Sequence, residues 1–177
     1  MGLKGGVKQN FANAISKCRG NYIFLADQDD IWKENKVERV LQEFNKDEKI
    51  TLVIHDAEVF NSDNKEVILD SFFDFRHSKN GIIKNIWKNS YIGCCIAFKS
   101  SLKKYILPIP NDIEMHDQWI GIINELKCGS SVFLKENLIR YRRHVGNVSQ
   151  MTHYSVSKMI KNRIVFIKNL IRGLKSN

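Results

Sequence analysis

The sequence predicts an α/β layered domain, and three observations carry that reading. Apolar runs of strand length alternate with segments whose apolar residues recur every three or four positions, as strands alternate with helices. At 177 residues, 43% hydrophobic and 27% charged, the chain is long and apolar enough for one domain with a real core. No apolar run approaches the ~18 residues of a membrane span, and the Gly- and Lys-rich start lacks the apolar stretch of a leader.

Taken in order, Phe11, Ala14, Ile15 and Cys18 share one helical face between Gln9 and Cys18, and Gly20 ends that helix. Asn21 to Ala26 is a compact aromatic and branched run between Gly20 and a cluster of acids, which predicts a buried strand. Val37, Val40, Leu41 and Phe44 mark a second helix, and Thr51 to Phe60 a second strand. Asn61 to Asn64 is a turn, Glu66 to Leu69 a short strand, and Ile82 to Trp87 a short helix. Ile92 to Phe98 reads as a further strand and Ser101 to Ile106 as a helical turn, broken by Leu107 to Pro110. A helix over Asp117 to Lys127 follows, then strands at Ser131 to Leu134 and Leu138 to Arg142.

The formal charge is +9, but Lys158, Lys161, Arg163, Lys168, Arg172 and Lys175 lie in a final stretch without acids. The basic character is therefore concentrated in a tail, and a nucleic-acid reading loses its basic face on the main body. Val156, Met159, Ile160, Ile164, Ile167, Leu170, Ile171 and Leu174 recur there at helical spacing, which makes a basic amphipathic helix. Such a helix either packs on the domain or lies on an anionic membrane surface. The second alternative predicts that truncation after Tyr154 removes binding to anionic vesicles. Cys18, Cys94, Cys95 and Cys128 form no C-x-x-C pair, which argues against a zinc site or a disulfide framework and for a reducing, cytoplasmic setting.

Asp27, Asp29 and Asp30 crowd the end of the first predicted strand, where open α/β sheets bind ligands. Crowded carboxylates repel unless a positive partner joins them, and Mg²⁺ or Mn²⁺ is the economical one. The plainer alternative has Asp29 or Asp30 capping the next helix. An EF-hand fails, because Ile31 and Trp32 stand where an oxygen ligand and a Gly belong. A haloacid-dehalogenase-type phosphatase, with Asp27 as nucleophile, remains an alternative, although Asp30-Ile31-Trp32 matches its small turn poorly.

Asn10-Phe11, the run from Arg19 to Trp32, Gly93-Cys94, His116 to Trp119 and Tyr141 to Asn147 together resemble family 2 glycosyltransferases, with the closest flavour in rhamnosyltransferase-like enzymes of bacterial surface polysaccharide assembly. The resemblance implies a GT-A-like nucleotide-diphospho-sugar transferase fold with a mixed central sheet over residues 1–150, followed by the basic helix at 151–177. It implies an inverting, metal-dependent transfer from a nucleotide-sugar donor to a saccharide or lipid-linked acceptor. Asp29 and His144 would then ligate Mg²⁺ or Mn²⁺, and Asp27 would help to hold the nucleotide. Asp30, Gly93, Cys94 and His116 would border the substrates, Trp119 would line the acceptor sugar, and Asp117 would be the general base. Each has a plainer role as well: Asp117 as a helix cap, His144 as a surface residue, Trp119 as core, and Gly93-Cys94 as buried strand. Members of this fold begin with a strand-helix-strand unit that holds base and ribose, and only nine residues precede Asn10. The expectation is an N-terminally incomplete domain of reduced activity, or a non-catalytic remnant that binds a membrane or partner.

Overall fold

The computed structural model describes residues 6–127, 129–143 and 155–175. In chain order, α1 (Gly6–Lys17) leads into β1 (Tyr22–Phe24), β2 (Ile31–Trp32), α2 (Lys36–Lys46), β3 (Ile50–Asn61) and β4 (Val67–Leu69). Then come α3 (Phe72–Arg76), α4 (Ile82–Trp87), β5 (Ile96–Lys99), α5 (Lys103–Ile106), α6 (His116–Lys127), β6 (Ser130–Arg143) and α7 (Val156–Lys175).

β3 is the spine of a mixed sheet ordered β1-β5-β3-β6-β2, with β4 on the end of β3. It pairs antiparallel with β5, Val53 facing Ala97, and parallel with β6, Val53 facing Val132. Its apolar letters run almost without alternation because both of its faces are covered. Leu52 and Ile54 point into the larger core cluster, as do Ala57 and Val59, so the parity changes between them. The change falls where the pairing with β6 shifts register at His55 to Ala57. An extra residue in a strand flips the faces beyond it, which here keeps apolar side chains on the core side past the polar pair His55-Asp56. Asp56 is satisfied at that irregularity by Ala57 N–H, Phe73 N–H and the Ser71 hydroxyl, which ties α3 to the sheet.

Two cores follow from two faces. α2 lays Val40 and Phe44 on Val53, Ala97 and Leu138. The other face carries the larger cluster, where α5, α6 and α7 contribute Ile106, Ile120, Ile123, Phe166 and Leu170. Full burial of one such side chain is worth ~1.5–3 kcal/mol, so this face dominates the stability.

The predicted helices at α1, α2, α4, α6 and α7 form. The two late strands prove to be the single strand β6, because its parallel ladder with β3 continues past the register shift. Gly93–Cys95 is a 3-10 turn rather than the start of a strand, and β5 begins at Ile96. β2, two residues long, and α3, five residues long, are too short to show a period in the sequence. The acids of Asp27 to Asp30 do not cap α2, whose N-cap is Asn35 without a side-chain bond. That removes the helix cap from the plainer explanation and leaves a turn, at residues 28–29.

Candidate functional site

The acidic run ends β1 and crosses to the edge of β6. Arg142 Nε donates to the Asp29 carbonyl oxygen at 2.8 Å, and Arg142 N–H donates to the Asp30 carboxylate at 3.1 Å. This pins the run to the sheet. Carboxylate oxygens of Asp27 and Asp30 and the Cys94 sulfur lie within 4.8 Å of one another. Asp29 is not one of these three. Asp30 Oδ2 is buried without a hydrogen-bond partner among the described residues. Burial raises the pKa of both carboxyls, and their mutual repulsion raises that of Asp27 further. Two crowded carboxylates with an orphaned oxygen fit a hard divalent cation.

Lys36 lies behind this cluster. It is 1% exposed, donates to the Cys94 carbonyl oxygen at 3.0 Å, and holds its ammonium 3.8 Å from the Trp32 ring centroid. Burial lowers it to about 8, against the pull of Cys95, Cys94, Asp30 and Asp27. Sequence reasoning missed Lys36, since it reads as the polar start of an amphipathic helix. Cys95 and its neighbour His55 are also buried, and a His-Asp pair inside an apolar run is the sequence signal that could have marked this irregularity.

The second half of the site is the start of α6. Asp117 is buried and lies in the first turn, and it accepts from Asn89 Nδ2 at 3.1 Å, from Gln118 N–H at 2.5 Å and from Gly93 N–H. Asn89 and Gly93 belong to another segment, so capping α6 is not its only role. Burial pushes its carboxyl up to about 6. His116 is also buried, stacked on Phe11 with ring centroids 4.1 Å apart. Burial lowers its imidazole to about 4, and Nε2 has no partner among the described residues.

Gly93 and Cys94 join the halves. The Gly93 N–H serves Asp117, and the next side chain stands beside Asp27 and Asp30. A Cβ at Gly93 would sit 3.0 Å from His116 Nε2, so glycine lets this turn pass over the imidazole. Trp119 corrects an expectation. It is 3% exposed, donates to the Ile106 carbonyl oxygen at 2.9 Å, and meets Phe166 edge-on. Its ring fills the core and offers no face to a sugar. His144 lies outside the described residues.

A family described as glycosyl transferase family 2 matches residues 3–120, two-thirds of the chain. The chain belongs to this family. Membership replaces the phosphatase reading of Asp27. Among solved structures, S. aureus TarS 1-349 in complex with UDP-GlcNAc superposes with a TM-score of 0.61 at 13% identity, over 90% of this chain and 46% of that one. A second structure of S. aureus TarS 1-349 gives 0.59 at 13% identity, over 79% of this chain and 42% of that one. The family 2 chain thus has the expected GT-A-like fold and spans less than half the length of these neighbours. A comparison with curated proteins found no match. No described helix is long and apolar enough to cross a membrane.

Proposed function

We propose that this family 2 chain serves an inverting transfer of a sugar from a nucleotide-diphosphate donor to a hydroxyl of a saccharide or lipid-linked acceptor, on the cytoplasmic side of bacterial surface polysaccharide assembly. The observation that carries the reading is the two-residue link Gly93-Cys94, which sets a buried carboxylate beside a cation-competent acidic cluster. Asp117 is the general base. Held by Asn89 and Gly93 and raised by burial to about 6, it is ionised at neutral pH yet basic enough to take a proton from an attacking hydroxyl. His116 stays neutral beside it and borders the substrate.

Asp27 and Asp30 are the geometric candidates to hold Mg²⁺ or Mn²⁺, and the family resemblance adds Asp29 and His144. Such an ion, when bound, offsets charge that builds on a departing diphosphate. The Asp30 carboxylate is oriented for that role by Arg142 N–H, and the Lys36 ammonium offsets part of the repulsion between the carboxylates of Asp27 and Asp30. TarS was crystallised with UDP-GlcNAc, so a UDP-sugar is the first donor class to test.

The test is calorimetric Mn²⁺ titration of Asp27→Ala, Asp29→Ala and Asp30→Ala, checked for folding by circular dichroism. Each ligand lost weakens binding by at least about tenfold, while removal of one crowded carboxylate leaves the metal-free fold intact. Unchanged affinity in Asp29→Ala alone moves the role to Asp27 and Asp30. Unchanged affinity in all three sinks the cation site.

A further inference from the structure

The tail helix carries two apolar faces where the sequence pattern reads as one. Phe166 and Leu170 are buried at 2% and 5%, and Asn169 bonds Asp112, so one side of α7 is core. Val156, Ile160, Ile164, Ile167 and Ile171 recur every three or four residues along another side and remain 41–71% exposed. At 3.6 residues per turn they form one narrow stripe, set apart from the buried seam. Lys161, Lys168 and Arg172 lie along its margin, all exposed, and α7 has no acid.

The stripe continues onto a second element. Arg163 bonds the Trp87 carbonyl oxygen and holds its guanidinium 4.9 Å from the ring centroid, which brings α4 against α7. There Trp87 is 65% exposed and Ile83 86%, with the exposed Lys88 beside them. An apolar face this continuous, rimmed on α7 by cations alone and bearing an exposed indole, is an interaction surface rather than scattered exposure.

We propose that α7 and α4 together form a docking face for an anionic lipid bilayer. The occupant is chosen by charge. A bilayer presents apolar chains to the isoleucine stripe and anionic headgroups to the lysine margin, with the headgroup boundary at the depth where Trp side chains settle. The face is independent of any step of sugar transfer, because binding is read without turnover.

The experiment is co-sedimentation of the full chain with phosphatidylglycerol vesicles and with phosphatidylcholine vesicles, across a salt series, with tryptophan emission recorded on the same samples. Binding is expected to phosphatidylglycerol alone, to weaken with salt, and to shift the emission to the blue. Trp87→Phe abolishes most of the shift, since Trp119 is already buried and Trp32 packs on Phe24 and Lys36 on the α2 side of the sheet. The double variant Ile160→Ser with Ile164→Ser weakens binding by at least about tenfold while the chain still melts cooperatively, because both residues are about half exposed and neither is in the core. These substitutions replace truncation after Tyr154, which would strip Phe166 and Leu170 from the core. Absence of vesicle binding in the folded chain overturns the proposal. If sedimentation velocity then gives a dimer that the double variant breaks, the face is an interface between copies. Equal binding to both vesicle types overturns the charge argument.

Discussion

Asp117→Asn is expected to raise the thermal midpoint at pH 8 while it lowers kcat and leaves Mn²⁺ affinity unchanged. The carboxyl is held at about 6 by burial, against an ordinary 3.8. The folded state therefore holds this proton more tightly than the unfolded chain does. The stability it contributes is fully present below about 3.8 and is lost as pH rises through about 6, a difference of about 3 kcal/mol. Above pH 6 the native protein carries a buried charge that Asn lacks. Asn still offers an oxygen to Asn89 and Gln118, which both bond Oδ1. For a chain of this size a gain of about 2 kcal/mol moves the midpoint by roughly 4–8 °C. His116 has the opposite sign: held at about 4 against 6.5, it supports the fold above 6.5 and withdraws that support as pH falls to 4. In the native protein the two slopes nearly cancel between pH 4 and 6. Asp117→Asn unmasks the histidine, so the variant gains most at pH 8 and loses stability steeply on acidification. A midpoint that drops at pH 8 would show that the bonds to Asp117 outweigh its burial.

This pairing explains how much of the site was legible in the sequence. The acids at the end of β1 and the His116-Asp117 pair stand out as polar letters at the ends of apolar elements, and their positions in the fold follow from the elements alone. What joins them does not. Lys36 is set under the acids by the packing of α2 on the sheet, and Asn89 reaches Asp117 across a turn whose shape no local pattern encodes. The Trp119 reading failed for a related reason: a helix start in an enzyme site and a helix start in a core use the same letters. Only the arrival of α7, with Phe166 against the ring, decides between them. The fold was more legible than the site, because helix and strand periods are local whereas β2, two residues long, exists only through its partner β6. The tail shows the limit of periodicity. One apolar repeat in the letters separates into a core seam and an exposed stripe once the helix is placed.

Gly121→Ala is expected to cost about 3 kcal/mol, a large share of the 5–15 kcal/mol that holds a typical domain together. Glycine in a helix interior is ordinarily the weaker choice, by roughly 0.5–1 kcal/mol against alanine. Here the Tyr91 ring lies flat against α6, and a Cβ at Gly121 would collide with three of its carbons. Tyr91 cannot simply turn aside. It is 3% exposed, its hydroxyl donates to Glu125 Oε1, and its ring packs on Phe133 at 5.7 Å. Its backbone N–H also donates to Asn89 Oδ1 at 3.0 Å, while Asn89 Nδ2 donates to Asp117. Displacing the ring therefore pulls on the side chain that holds Asp117, the proposed base, and Gly93 two residues later moves with it. The variant should lose stability and also shift the pH midpoint of activity, since fewer bonds to Asp117 raise its carboxyl further. Tyr91→Leu supplies the control. Leucine removes the collision, so the double variant Tyr91→Leu with Gly121→Ala should be more stable than the sum of the two single losses by at least about 1 kcal/mol. Strict additivity in urea denaturation would mean that Gly121 is required for something other than room for Tyr91.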